Sequence, residues 1–362
     1  MPIKILHVIA GMGSGGAEAM IMNWYRNIDR DSVQFDFLLR STENIYSEEI
    51  SKLGGKVYYT AEYPRHFLKN RKETIQFFKQ HAIEYAAIHV HCNALLYVNI
   101  FNIAKKYGIE TRIIHSHSTK TKNKLFELLH KFNKVRIHKK ATHFFACSHE
   151  AAKWSFNSKC KYQIITNGID VDRFKYSDVV REKFRSELNL DGKIVIGHVG
   201  RFLDVKNHMY LLDVFEKINQ LRQNSMLVLV GTGPLEKMIQ AEAKQRGLSE
   251  KIVFLGVRKD VENIYSAMDV FAFPSKYEGF GLALVEAQAN GLPCVASDCI
   301  PKDCKALDSL KFLPIDDAET WADYILNMPT VNNRIMCCVD VAKAGFDIKR
   351  VVEKLQEFYS SI

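Results

Sequence analysis

Residues 193–215 read KIVIGHVGRFLDVKNHMYLLDVF. The first seven are mostly apolar, with three β-branched side chains in a row, too few for a helix and suited to a buried strand. A glycine turn follows, and then apolar residues return at helical spacing. Strand, glycine turn and amphipathic helix together make one unit of a parallel sheet covered by helices. This unit opens a second series. Just upstream lies TNGIDVDRFKYSDVV (166–180), polar and irregular. Before that break the same alternation has already run once, through KILHVIA, FDFLLR, KVYYT, YAAIHVH, TRIIHSH and HFFACS. After it come SMLVLVG, KIVFLGV, DVFAFPS and PCVASD, separated by segments of helical period. The chain of 362 residues is too long for one ordinary domain. The sequence therefore predicts an α/β protein of two Rossmann-like domains, 1–172 and 173–345, with a final amphipathic helix, 346–362, returning to the first. Open sheets of this type bind ligands beyond the carboxyl ends of their strands. Two such domains facing across a cleft would place the active site there.

Composition narrows the class. The chain is 47% hydrophobic and 25% charged, ordinary for a globular protein. No stretch approaches the ~20 apolar residues of a membrane span. The N-terminal MPIKILHVIAGMGSGG reads as a first core strand rather than a secretory signal, which points to the cytoplasm. Eight cysteines occur without a CxxC pair, arguing against a disulfide framework or zinc site. Fifty Lys and Arg against 41 Asp and Glu give a net charge of +9, which favours anionic partners.

Several turns carry candidate chemistry. GMGSGG (11–16) fits GxGxxG formally through Gly11, Gly13 and Gly16. A dinucleotide site would add an acidic residue ~20 positions on, where Asp36 stands; a flexible strand-to-helix turn explains the glycines equally. In GRFLDVKNH (200–208), Arg201 and Lys206 are near enough to converge on one diphosphate. The alternative is two solvated charges at a helix start. GTGPLEK (231–237) is a further glycine turn on the same sheet edge, where a nucleotide donor could lie against Gly231; a plain strand-to-helix turn, with Pro234 suited to the first helical turn, explains it equally. HVHCN and HSHST place His89, His91, His115 and His117 at strand ends, with no evident supporting carboxylate for a metal. One or two of them pointing into a site as hydrogen-bonding groups is the better reading.

The segment 120–140, KTKNKLFELLHKFNKVRIHKK, is a basic amphipathic helix with Glu127 as its sole acidic residue. It suits an anionic membrane surface, peripheral at the inner face. A core-packed helix with a solvated basic face fits as well. No recognised motif supports nucleic acid. Last, KYEGFGLALVE (276–286) sets Glu278 and Glu286 on either side of a glycine-opened helix start. Eight residues of continuous helix would span ~12 Å.

Taken together, GSGGAE after the first strand, NGID at the junction, VGR followed by VKN, GTGP, and the E-x7-E of EGFGLALVE resemble the retaining glycosyltransferases of the GT-B fold, family 4 (group 1). The order is preserved along nearly the whole chain. IIHSHS and SDCIPKDCK are similar to capsule and exopolysaccharide enzymes of that family. The resemblance implies transfer of a sugar, hexosyl or N-acetylhexosaminyl, from a nucleoside diphosphate, most commonly UDP, to a glycan or lipid-linked acceptor. It implies no metal and no cofactor. By position Arg201 and Lys206 hold the diphosphate. Glu278 approaches the donor sugar, and Gly279, Phe280, Gly281 and Leu282 present backbone N–H groups. Glu286 accepts from the ribose hydroxyls. Gly15 and Gly16 lie beside phosphate and acceptor, and either His115 or His117 meets the transferred sugar. The stretch after Glu286 lacks the family's usual glycines, which leaves donor sugar and acceptor open. A sugar-nucleotide 2-epimerase, or a non-catalytic binding subunit, shares the architecture.

Overall fold

The computed structural model describes residues 2–13, 15–121 and 123–362. Contacts divide the chain into two compact units. One runs through Gly168 and is rejoined by Ile348–Ile362; the other is Ile169–Asp347.

The first unit holds a seven-stranded sheet: β1 Ile3–Ile9, β2 Val33–Leu39, β3 Val57–Tyr59, β4 Ala87–Cys92, β5 Thr111–Ser116, β6 His143–Ala146 and β7 Tyr162–Ile164. Every pairing is parallel, in the order β3-β2-β1-β4-β5-β6-β7. The second holds six strands: β8 Ile194–Val199, β9 Ser225–Val230, β10 Ile252–Phe254, β11 Val270–Phe273, β12 Cys294–Ser297 and β13 Leu310–Leu313. These too are all parallel, ordered β10-β9-β8-β11-β12-β13. In each unit the order reverses once, at β1/β4 and at β8/β11. The loops there diverge and leave room for a ligand.

The cores follow from the strand composition. All seven residues of β2 are buried, as expected of a strand covered on both faces. In the first unit Ile5, Met20, Trp24, Phe35 and Phe37 pack into one cluster with the C-terminal helix Ile348–Ser360. That helix buries Ile348, Val351, Val352, Leu355 and Tyr359, one stripe of helical period. Gly168 allows its approach, since a Cβ there would stand 2.8 Å from the Ile348 Cα. In the second unit Phe202, Leu212, Phe215, Leu227, Ile239 and Trp321 form the corresponding core.

Two short edge strands, β7 and β13, are absent from the sequence reading. β7 reads YQI and is largely exposed, and β13 reads LKFL, so in each a polar residue interrupts the apolar run. Among the described residues, no helix is long and apolar enough to cross a membrane.

Candidate active site

The second unit gathers the basic and acidic candidates on one sheet edge. The loops after β9, β8 and β11 stand side by side, because those strands are neighbours. Lys206 Nζ donates to Glu278 Oε1 at 2.7 Å, with both side chains largely buried. It also sits 4.7 Å from the centre of the Phe273 ring. The two loops are tied again by Lys276 N to Val205 O (2.8 Å) and Lys276 Nζ to Asp204 Oδ1 (2.7 Å). Arg201 is exposed on the same loop as Lys206.

Glycines make these loops possible. A Cβ on Gly231 (φ +131°) would lie 2.1 Å from Gly200 O, and one on Gly233 would lie 2.6 Å from Phe202 O. The GTGP turn therefore rests directly on the loop that carries Arg201. Gly281 takes a left-handed φ of +97° as N-cap of the helix Leu282–Ala289. The E-x7-E spacing is thus half loop and half helix rather than continuous helix. Glu278 and Gly279 lie in the loop, and Phe280 is buried against Phe346. Glu286 is on the helix and accepts from the Tyr265 hydroxyl at 3.0 Å. Burial raises its carboxyl to about 7, against the opposing pull of the Tyr265 hydroxyl, Arg173 and Lys206. His198 Nδ1 donates to Ala272 O (2.9 Å), while its buried Nε2 has no partner among the described residues. Burial holds this imidazole down to about 4. Composition gave no hint of His198, which lies mid-strand among apolar residues.

In the first unit a cavity of about 270 Å³ opens at the carboxyl ends of β1, β4 and β5, with Arg40, His91 and His117 on its wall beside Glu18, Tyr97 and Phe126. Gly15 caps the helix Gly16–Asn27 next to it. A Cβ on Gly16 would meet nothing within 4 Å, so nothing inside the chain demands glycine there.

The histidines form two hydrogen-bonded rows. In one, His7 Nδ1 meets His91 Nε2 at 2.9 Å, and His91 Nδ1 meets His117 Nε2 at 2.8 Å. In the other, the Tyr359 hydroxyl meets His89 Nδ1 at 2.6 Å, and His89 Nε2 meets His115 Nδ1 at 3.1 Å. The rows stack, with His89 over His91 (4.4 Å) and His115 over His117 (4.3 Å). Nitrogens of His7, His89 and His91, and of His91, His115 and His117, lie within 4.8 Å of one another, near enough for a metal. Their contact distances are those of N–H···N hydrogen bonds. A neutral imidazole donates at one nitrogen and accepts at the other, so the tautomers in a row are set together. Burial drives all five down, His7 and His117 to about 3. His117 ends its row on the cavity wall. His115 is fully buried beneath Trp24.

Two further placements differ from the sequence reading. Asp36 lies inside β2, accepting from Lys56 N (2.7 Å) and the Tyr85 hydroxyl (3.0 Å), and so is committed to the sheet rather than to a ribose. Arg40 ends the stretch FDFLLR, and its sequence neighbours give it no role. It stacks on Tyr97 at 4.4 Å, its Nε is buried without a partner, and among the described residues no carboxylate forms an ion pair with it.

Known proteins agree with this architecture. The family description "Glycosyl transferases group 1" matches residues 180–328, and "Glycosyltransferase Family 4" matches 14–173. The Bacillus subtilis (strain 168) protein EpsF, named a glycosyltransferase, is 33% identical over 99% of this chain and 96% of its own. The chain belongs to the group 1 glycosyltransferases. An Escherichia coli enzyme named UDP-Gal:alpha-D-GlcNAc-diphosphoundecaprenol alpha-1,3-galactosyltransferase is 28% identical over 66% of this glycosyltransferase and 65% of its own length. HepE of Anabaena, solved with UDP and glucose, superposes with a TM-score of 0.80 over 99% of this chain and 100% of its own, at 20% identity. The GT-B fold is shared at that distance. The loops bearing Arg201, Lys206 and Glu278 and the helix bearing Glu286 all lie inside the first matched region.

Proposed function

We propose that this glycosyltransferase moves a hexosyl or N-acetylhexosaminyl group from a UDP-sugar to a hydroxyl of a glycan or lipid-linked acceptor, with retention at the anomeric carbon. The acceptor belongs to exopolysaccharide or capsule assembly. The observation that carries the reading is the Lys206–Glu278 pair on the β8/β11 edge. A departing nucleoside diphosphate gathers negative charge. Lys206, Arg201 and the N-terminus of the helix Leu282–Ala289 offer positive charge and N–H donors to it. Donor binding replaces the Glu278 partner of Lys206 with phosphate and releases the carboxylate toward the sugar. This charge complement does the work a divalent cation does elsewhere, so the reaction proceeds without one. The acceptor hydroxyl attacks from the face the diphosphate leaves. Its proton goes to the departing phosphate oxygen, the C–O bond to phosphate breaks, and the new glycosidic bond forms on the same side. His117, ending its row on the cavity wall, is assigned the contact with the transferred sugar. Arg40 supports an acceptor that carries phosphate, as a lipid diphosphate does: a stacked, poorly solvated guanidinium lacking a carboxylate suits an incoming anion.

The test is a panel of nucleotide-sugars scored by nucleotide release, with and without a diphosphate-linked acceptor and with EDTA. Expected are UDP release that depends on acceptor, persists in EDTA, and yields an α-linkage from an α-donor. Arg201→Ala, Lys206→Ala and Glu278→Ala should each lower kcat/KM by about 10² or more. A β-linked product overturns retention. Turnover without acceptor indicates an epimerase, and binding without turnover a non-catalytic subunit. Near-normal activity in all three variants moves the site elsewhere.

A further inference from the structure

The helix Lys124–Arg136 is turned the wrong way round for a core element. Apart from Phe126, its inward stripe is polar. His130 Nδ1 accepts from Leu95 N (3.0 Å) and its Nε2 donates to Trp154 O (2.9 Å), while Asn133 Nδ2 donates to Leu95 O (2.7 Å). The outward stripe is apolar. Leu125, Leu128, Leu129, Phe132 and Val135 follow one another at helical spacing and are 43 to 67% exposed. Core packing, one of the two readings of this segment, is therefore excluded for those residues. A contiguous row of large apolar side chains on the surface marks an interaction face.

Charge says what covers it. Lys120, Lys124, Lys131, Arg136 and Lys139 are exposed around the row, and Glu127 is taken up by Lys131 at 2.7 Å. Arg136 lies over the Phe132 ring at 4.1 Å, so cation and apolar surface share one face. Lys122 lies outside the described residues. A protein partner of ordinary composition would match the apolar row without needing a one-signed rim. An anionic bilayer matches both, taking the apolar side chains to the depth of the acyl boundary and the ammonium groups to phosphate level.

We infer that Lys124–Arg136 is a monotopic docking helix for an anionic lipid surface, held on the first unit by His130 and Asn133 and presenting Leu125, Leu128, Leu129, Phe132 and Val135 to the lipid. Its inner neighbour Phe126 lines the cavity that also holds Arg40 and His117. Docking thereby brings the cavity to headgroup level, where the diphosphate of a lipid-linked acceptor lies. The docking stands on the helix alone. Its catalytic use rests on the acceptor proposed above.

The experiment is co-sedimentation of the full chain with phosphatidylcholine vesicles, with and without 30 mol% phosphatidylglycerol, beside sedimentation velocity without lipid. Leu128→Ser/Phe132→Ser and Lys124→Gln/Lys131→Gln replace exposed side chains and should leave the fold and nucleotide release with a water-soluble acceptor unchanged. Expected is binding to the anionic vesicles at least tenfold above the neutral ones, weakened by 0.5 M salt. The apolar pair should lower it at least tenfold, and the lysine pair by several fold. The inference is overturned by equal binding to both vesicle types, by unchanged binding in Leu128→Ser/Phe132→Ser, or by a dimer in solution that this variant dissolves while vesicles bind nothing. Docking that holds while a lipid-linked acceptor gives no product would leave the helix assignment standing and reject the acceptor.

Discussion

Glu286 shows how one side chain carries information on pH. Its carboxyl is raised to about 7, chiefly by burial. Below that pH it is mostly protonated and loses an acceptor oxygen; above it the carboxylate can take both hydroxyls of a ribose. Donor binding therefore weakens as pH falls. Only the ionised fraction is competent, so KM for the donor should rise by about tenfold from pH 8 to pH 6. Glu286→Gln should flatten that dependence and raise KM at pH 8. Initial rates across a pH series check both. The histidines separate similarly. His117 ends its row at the cavity, whereas His115 is sealed under Trp24. His117→Ala should lower kcat by about 10², and His115→Ala should lower Tm by several degrees through the cavity it leaves under Trp24, with kcat within a few fold of the parent. Turnover and thermal melts on the pair decide it; the reverse pattern would exchange the two roles.

At the scale of elements, the proposed donor edge depends on loops resting on loops. Gly231 is the test, because its φ of +131° and the 2.1 Å approach to Gly200 O leave no room for a methyl. Gly231→Ala should displace the loop bearing Arg201 and Lys206, raising donor KM by tenfold or more and costing about 1–3 kcal/mol of stability. Gly247 is the control. It also has a positive φ, +70°, but nothing within 4 Å of a Cβ. Gly247→Ala should cost about 1 kcal/mol and leave KM alone. Equal kinetic effects in the two variants would mean that backbone strain, not loop contact, sets the donor site. Strand, turn and helix were legible here because glycine, proline and the apolar periods punctuate them. The edge strands β7 and β13 were not, because Gln163 and Lys311 interrupt their short apolar runs.

The whole molecule carries an acid liability. His7 and His117 titrate at about 3, His198 at about 4 and His208 at about 2, each lowered first by burial. Unfolded histidine binds a proton near 6.5. As pH falls from 6.5 the unfolded chain takes up protons that the native chain refuses, so stability is present above 6.5 and lost toward 3. Each such histidine costs about 2 kcal/mol at pH 5. Since both units contain them, both thermal transitions should shift down steeply between pH 6.5 and 5. A Tm unchanged over that range would mean that the rings are solvated or already charged.

Local chemistry is written in order along the chain, and it determined a good deal unaided. Two α/β units, their glycine turns and the amphipathic last helix follow from periods and spacings, whereas the set Arg201, Lys206, Glu278 and Glu286 was singled out by the family resemblance. Apolar periodicity and turn residues are local properties, and the motif that carries the resemblance is a short string fixed to strand ends. Direction in space is different. Whether Leu128 and Phe132 face core or solvent, which of His115 and His117 reaches a cavity, whether Asp36 looks inward, and that no described carboxylate pairs with Arg40 all depend on groups 20 to 270 positions away, as Asp36 with Lys56 and His89 with Tyr359 illustrate. Amphipathicity gives a helix two faces but does not say which one is buried. Only the tertiary structure, by supplying the backbone of Leu95 and Trp154 to His130 and Asn133, turned the polar face of Lys124–Arg136 inward.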